Sequence, residues 1–362
     1  MSGVGTGLLC PFDLTVDQIA RFLNAELTDD PVYDGIELQW FDDAWHGTGM
    51  LAFLSRRVDR RVDYYVDPGL TLDRSSYQLG GGTGRWVTTD FEQARLEVDT
   101  DGVVADVRFT DVDGRTVEVA VDDRGTGKRH GGELLAPVGS GIDDPASLLL
   151  VYLHGFDLLR RGGRPPRIRI DGRPASTGAL PGGVLHRRHL IKAAAPLTVA
   201  TLCRTRTGPL DPVDPDDPGE VLLDDTASGI VGLAARHGAA SATLSLDPAF
   251  PQLAALAEGR PETGSWRVAV DGAAITGGDW RAVRHGQRVE LELEVTRRWD
   301  PPPRQPALMW LVTRVVPTFR RWPTTYRWAA EISLEDGRAG VSAGWERTGG
   351  ARDDAYRRAT RG

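Results

Sequence analysis

From Ile36 onward the chain alternates apolar and polar residues in short runs, and Asp-Gly or Gly-Arg pairs interrupt those runs again and again. Ala94-Arg95-Leu96-Glu97-Val98 is followed by Asp101-Gly102, then Val103 to Phe109, then Asp113-Gly114 and Thr116 to Val121. A period of two sends successive side chains to opposite faces, the pattern of antiparallel strands with one buried face. Asp-Gly supplies the positive φ that tight hairpins need. The pattern predicts a mainly β protein of two antiparallel meander domains, closed as barrels or stacked as sandwiches, with a few short helices.

Helical spacing is rarer. Thr15 and Gln18 fit a capping box, and Ile19, Phe22 and Leu23 form an apolar stripe, so a short helix is expected at about 16–26. Asp144-Pro145 has the form of a helix start, and Leu148, Val151, Tyr152, Phe156 and Leu159 follow at helical spacing. The same stretch also reads as a buried strand pair turning at Gly155, and periodicity does not separate the two. Another short helix is expected at about 249–258. Pro306 to Trp322 places Met309, Val312, Val315 and Val316 at near-helical spacing, but Pro317 interrupts it. That segment reads as two strands or as a helix broken near Val316, packed across the open end of the second barrel. Asp211 to Gly219 is rich in Pro and Asp and marks a linker. The expected layout is an N-terminal helical segment (1–30), a first β domain (31–208), the linker (209–220), a second β domain (221–348) and a disordered tail (349–362).

The chain has 362 residues and a formal net charge of −8, with acidic and basic residues interspersed. Nucleic acid is not the expected partner, since such binding needs a basic stripe to displace counterions. No apolar run approaches the ~18 residues of a membrane span. No basic residue precedes the Leu8-Leu9 pair, so no signal peptide is expected. Cys10 and Cys203 are the only cysteines, read as free thiols in a reducing cytoplasm. Gly80-Gly81-Gly82-Thr83-Gly84-Arg85 lacks the Lys-Ser/Thr ending of a phosphate loop. No cofactor is therefore expected.

The richest candidate site is Trp40-Phe41-Asp42-Asp43-Ala44-Trp45-His46-Gly47. Aromatic walls raise a carboxyl pKa by desolvation, and a nearby histidine can share the proton. Asp43 and His46 are the candidate proton-transfer pair, with Trp40 and Trp45 as walls; the alternative is a hairpin turn with solvated acids. His154, in the most apolar segment, is a reserve candidate. His186 and His189 bracket two arginines on an expected strand, which points them to opposite faces and disfavours a metal. Lys192 precedes three alanines and is a candidate buried amine, or one that reaches solvent. Trp310 and Trp322 are candidate pocket walls, with Arg320 or Arg321 able to receive an acidic head group. Core packing is the alternative for these tryptophans.

Gly84-Arg85-Trp86 and Gly264-Ser265-Trp266 place Gly-x-Trp near the expected strand starts of both domains. In this layout, over most of residues 30–345, the chain resembles the two-domain lipocalin-like proteins, a group that includes carotenoid hydratases and lipocalin-type Diels–Alderases. The resemblance implies a pocket for a hydrophobic small molecule, isoprenoid or polyketide-like, worked by acid/base groups or by shape alone. The expected function is thus isomerisation, hydration or cyclisation without a cofactor; a non-catalytic carrier and a structural or interaction module are the alternatives.

Overall fold

The computed structural model describes residues 8–74, 77, 82–138, 142–162, 164–179, 187–213, 221–226, 228–335 and 338–348. His186, the loop glycines Gly80 and Gly81, most of the expected linker and the tail from 349 lie outside the described residues.

The chain begins with Leu14–Ile19 (β1), Arg21–Glu26 (β2), Tyr33–Asp43 (β3), Gly47–Arg56 (β4), Val62–Val66 (β5) and Thr83–Thr88 (β6). It leaves this sheet for Gln93–Val98 (β7), Val103–Thr110 (β8) and Thr116–Asp122 (β9), then returns with Gly132–Ala136 (β10) and Leu148–Arg160 (β11). Arg164–Ile170 (β12) and Arg173–Pro174 (β13) rejoin the second sheet, and Arg188–Ala194 (β14) and Leu197–Leu202 (β15) complete the first. The first sheet runs β1-β15-β11-β14-β2-β3-β4-β5-β6, with β10 against β11; the second runs β13-β12-β9-β8-β7.

The third sheet follows as a meander: Arg206–Pro209 (β16), Val221–Leu223 (β17), Gly229–His237 (β18), Ala240–Pro251 (β19), Glu262–Val270 (β20), Ala273–His285 (β21), Arg288–Arg297 (β22), Tyr326–Ser333 (β23) and Gly340–Arg347 (β24). Strands β17 to β24 pair in sequence order, and β16 closes onto β24. The helices Ala307–Val315 (α1) and Pro317–Arg321 (α2) bridge β22 and β23, broken at Val316. The protein is mainly β, with curled antiparallel sheets that form a half-barrel.

Three bends curl the first sheet. β1 and β2 are one strand broken at Ala20, β11 turns at Gly155 (φ 57°), and β14 and β15 meet across Ala195-Pro196. Left-handed backbone at Gly155 costs little because no Cβ opposes it. β15 pairs with Leu148–Leu153 of β11, and β14 pairs with its far half from Asp157. The sheet therefore changes direction along one line, the way glycines and bulges turn barrel corners.

These bends account for the elements that differ from expectation. Residues 16–26 are strands, not a helix: the break at Ala20 shifts the alternation, so Ile19, Phe22 and Leu23 acquire a helix-like spacing across two strands. Where the expected N-terminal helical segment is described, it supplies strands β1 and β2 of the first sheet. Residues 148–160 are strand β11. Its two halves have different neighbours, and Leu158 and Leu159 are buried in opposite cores, which removes the period of two. At 249–258 β19 continues to Pro251, and only a single 3-10 turn, Leu253–Ala255, follows.

One core lies between the second sheet and the convex face of β2 to β5, with Leu23, Ile36, Leu38 and Met50 against Val103, Val107 and Phe109. The other joins the concave face of the first sheet to the interior of the third, through Phe12, Phe250, Trp266, Trp280 and Trp328. Strands β2 to β5 are covered on both faces. Gly264 of the second Gly-x-Trp has a packing role: a Cβ there would come within 2.5 Å of the Trp280 ring.

Candidate functional site

The β3–β4 turn does pair Asp43 with His46. Asp43 Oδ2 lies 2.8 Å from His46 Nδ1, and Asp43 Oδ1 accepts the backbone N–H groups of Trp45 (2.7 Å) and His46 (2.8 Å). The sheets bring two further groups that the sequence reading missed. Asp17 of β1 places Oδ2 3.2 Å from His46 Nε2, and His237 at the end of β18 stacks on the His46 ring at 4.9 Å. His46 thus lies between two carboxylates. Burial opposes its charge, but bonds to Asp17 and Asp43 prevail and hold its pKa at about 9. Burial also opposes ionisation of Asp43, yet the His46 and backbone donors draw it down to about 2. Values so far apart describe a locked ion pair, a poor relay near neutral pH.

The walls also differ from expectation. Trp40 points to the opposite face of β3 and packs against the core under the second sheet. The ring beside His46 is Phe41, at 4.8 Å. Trp45 is 73% exposed, with its ring 5.8 Å from that of His237.

His154 is also set between two acids. Its Nδ1 lies 3.0 Å from Glu133 Oε2 and its Nε2 lies 2.8 Å from Asp271 Oδ2. The Glu133 contact is an ion pair of poor hydrogen-bond alignment, since Oε2 has no hydrogen-bond partner. Asp271 is fixed by Thr198 Oγ1 (2.6 Å) and the Ser241 N–H (2.8 Å). Burial lowers the His154 pKa, and the two carboxylates raise it further, for a net rise. Lys192 donates to Glu26 Oε1 at 2.7 Å, so its side chain is held in an ion pair. His189 is held low by burial and by Arg161.

Trp310 and Arg320 line a cavity of about 550 Å³, with Arg298, Trp299, Arg314 and Phe319 among its other walls. Arg314 stacks on Trp310 at 4.5 Å. Trp322 is not a wall of that cavity: it is buried, with its ring 5.9 Å from Tyr326.

A different group of residues meets on the concave face of the first sheet. Register places Lys192, Asn24, Glu37, Phe53, Tyr64 and Trp86 in one row across six strands. Directly opposed residues share a face, so these six side chains lie together on one side of the sheet. Tyr64 and Trp86 stack at 4.2 Å, and Phe53 sits edge-on to Tyr64 at 4.9 Å. Glu37 is the acid of the row. Its Oε1 accepts from Gln39 Nε2 (2.7 Å) and its Oε2 from Asn24 Nδ2 (3.2 Å). Burial pushes its pKa up to about 7, against the pull of both amides and of Lys192. Glu37 is partly buried in the folded chain. Gln39 is buried, and its Oε1 is left without a hydrogen-bond partner. An orphaned acceptor beside a desolvated acid is costly unless something else fills the need.

The alternation of β3 held the signal: Glu37, Gln39 and Phe41 share one parity, Ile36, Leu38 and Trp40 the other. A polar parity ordinarily reads as a solvent face. Here both faces are covered. Compared with known proteins, the chain matches no protein-family model, no curated protein and no solved structure.

Proposed function

We propose that this face of the first sheet forms a trough that binds a largely apolar small molecule and that Glu37 transfers a proton to or from it. The observation that carries this reading is the row itself: one acid, one amide and an ion-paired lysine end abut three aromatic rings on a single face, with Gln39 bonded to the acid from two residues along β3. Pockets for small ligands combine apolar walls with a few placed polar groups. A carboxyl whose proton affinity lies near 7 can give or take a proton at neutral pH. Asn24 and Gln39 orient it, and the free Gln39 Oε1 offers an acceptor for a ligand hydroxyl or amide. Such a site suits isomerisation, hydration or cyclisation of an alkene or enol, the chemistry implied by the lipocalin-like resemblance. In this reading Glu37 takes the role that the Asp43–His46 pair is too firmly ionised to fill.

The test is native mass spectrometry after incubation with a cell lipid extract. The parent should retain a small molecule, and Asn24→Trp, which fills the trough, should retain none at an unchanged melting temperature. Glu37→Gln should hold the same molecule but leave it chemically unaltered, where the parent converts it. Retention without conversion in the parent makes the protein a carrier. Equal retention by Asn24→Trp removes the trough from consideration.

A further inference from the structure

We propose that Asp17, His46 and His237 form a binding site for a divalent transition-metal ion of the zinc class, with Asp43 as its outer carboxylate. The three residues come from β1, the β3–β4 turn and the end of β18, and one ligand atom from each lies within 4.8 Å of the others. Asp17 faces both rings: Oδ2 is 3.2 Å from His46 Nε2 and Oδ1 is 3.7 Å from His237 Nδ1. The far nitrogens both face Asp43 Oδ2, which lies 2.8 Å from His46 Nδ1 and 3.7 Å from His237 Nε2.

This is the arrangement in which a carboxylate takes the outer N–H of a histidine and turns the inner nitrogen toward a metal. His237 supplies an independent observation. Its Nε2 is buried and has no hydrogen-bond partner, although its ring is held against His46 with an interplanar angle of 23°. A metal on Nδ1 makes Nε2 a stronger donor, and closing 3.7 Å to a hydrogen bond on Asp43 requires a shift of well under an ångström. Two imidazoles with one carboxylate suit zinc and its neighbours, whereas magnesium and calcium prefer oxygen ligands throughout. Three protein ligands leave one tetrahedral position open. The site joins the first sheet to the third and is independent of the trough.

The experiment is isothermal titration of the chelator-treated full chain with Zn²⁺, paired with absorption spectra of the Co²⁺ form. One equivalent of Zn²⁺ should bind, and Co²⁺ should show the ligand-field bands of a nitrogen and oxygen site. His237→Gln and Asp17→Asn should each abolish the bands, and Asp43→Asn should weaken binding about tenfold. His237→Gln is the decisive variant: it removes the proposed ligand nitrogen, and its metal-free melting temperature, read in parallel, shows whether the variant is folded despite losing the Asp17 contact. The proposal is overturned if the parent takes up no Zn²⁺, if Mg²⁺ or Ca²⁺ binds as tightly, or if folded His237→Gln binds Zn²⁺ like the parent.

Discussion

Glu37 is held against its own ionisation, and that has a sign that can be measured. Its folded pKa of about 7 lies above the ordinary 4.5, so the folded state binds the extra proton between these values. Stability must then fall as pH rises through that window, by an amount of order 3 kcal/mol at most. Glu37→Gln removes the penalty while keeping the shape. Its melting temperature should match the parent at about pH 4 and exceed it at about pH 8; a lower value at the alkaline end would mean that the carboxylate is stabilising. His154 moves stability in the same direction with pH, although there the favoured protonated form is the charged one. Its folded pKa is raised by Glu133 and Asp271, with Tyr152 and Thr198 the other polar neighbours. The stability it contributes is complete below the ordinary 6.5 and is lost as pH rises through the raised folded value. The melting gap between the parent and His154→Gln should therefore narrow as pH rises above the ordinary 6.5, and a gap that is flat or widens would show that the imidazolium is not what these acids hold.

The hairpins are the elements that the sequence announces most clearly. Asp171-Gly172 and Asp271-Gly272 both turn with two successive positive φ angles, the type I′ geometry that Asp-Gly favours. What that pattern does not reveal is that Asp271 also reaches back to His154, whereas Asp171 is exposed. β1, β2 and β11 escaped the period of two because each lies at a bend, and Glu37 escaped because a polar parity in a doubly covered strand looks like a wet one. Asp43 and His46 were legible because a three-residue spacing within one turn already joins them. Asp17 and His237 were not, since only the packing of sheets makes them neighbours. Gly-x-Trp was legible as a motif but not as geometry. Gly264 makes room for the Trp280 ring, which packs against Phe250 at 5.2 Å. Gly264→Ala should overpack this point and cost about 1–3 kcal/mol in chemical denaturation. Loss of near-ultraviolet dichroism should accompany it; a neutral substitution would mean that β20 and β21 can separate freely.

At the scale of the whole molecule the first and third sheets are joined by contacts that neither makes alone. Phe12, just before β1, inserts its ring 5.0 Å from Phe250 and 6.0 Å from Trp328, inside the third sheet. Trp345 of β24 donates its indole N–H to Cys203 O at 2.6 Å, where β15 ends. His154 with Asp271, and His237 with Asp17, cross the same boundary. Their apolar surface belongs to one continuous core, so the energy of each half depends on the other being in place. The two halves should consequently unfold together in spite of the Pro-rich segment between them. Tryptophan fluorescence, weighted toward the third sheet, and far-ultraviolet dichroism should report one coincident transition. Phe12→Ala leaves every strand of the third sheet intact but opens a cavity among its rings, at a cost of about 3–5 kcal/mol. That substitution should move both signals to lower denaturant together. A shift in fluorescence alone, with the dichroism of the first sheet unmoved, would show that the halves are stable separately and that Phe12 belongs energetically to the third sheet.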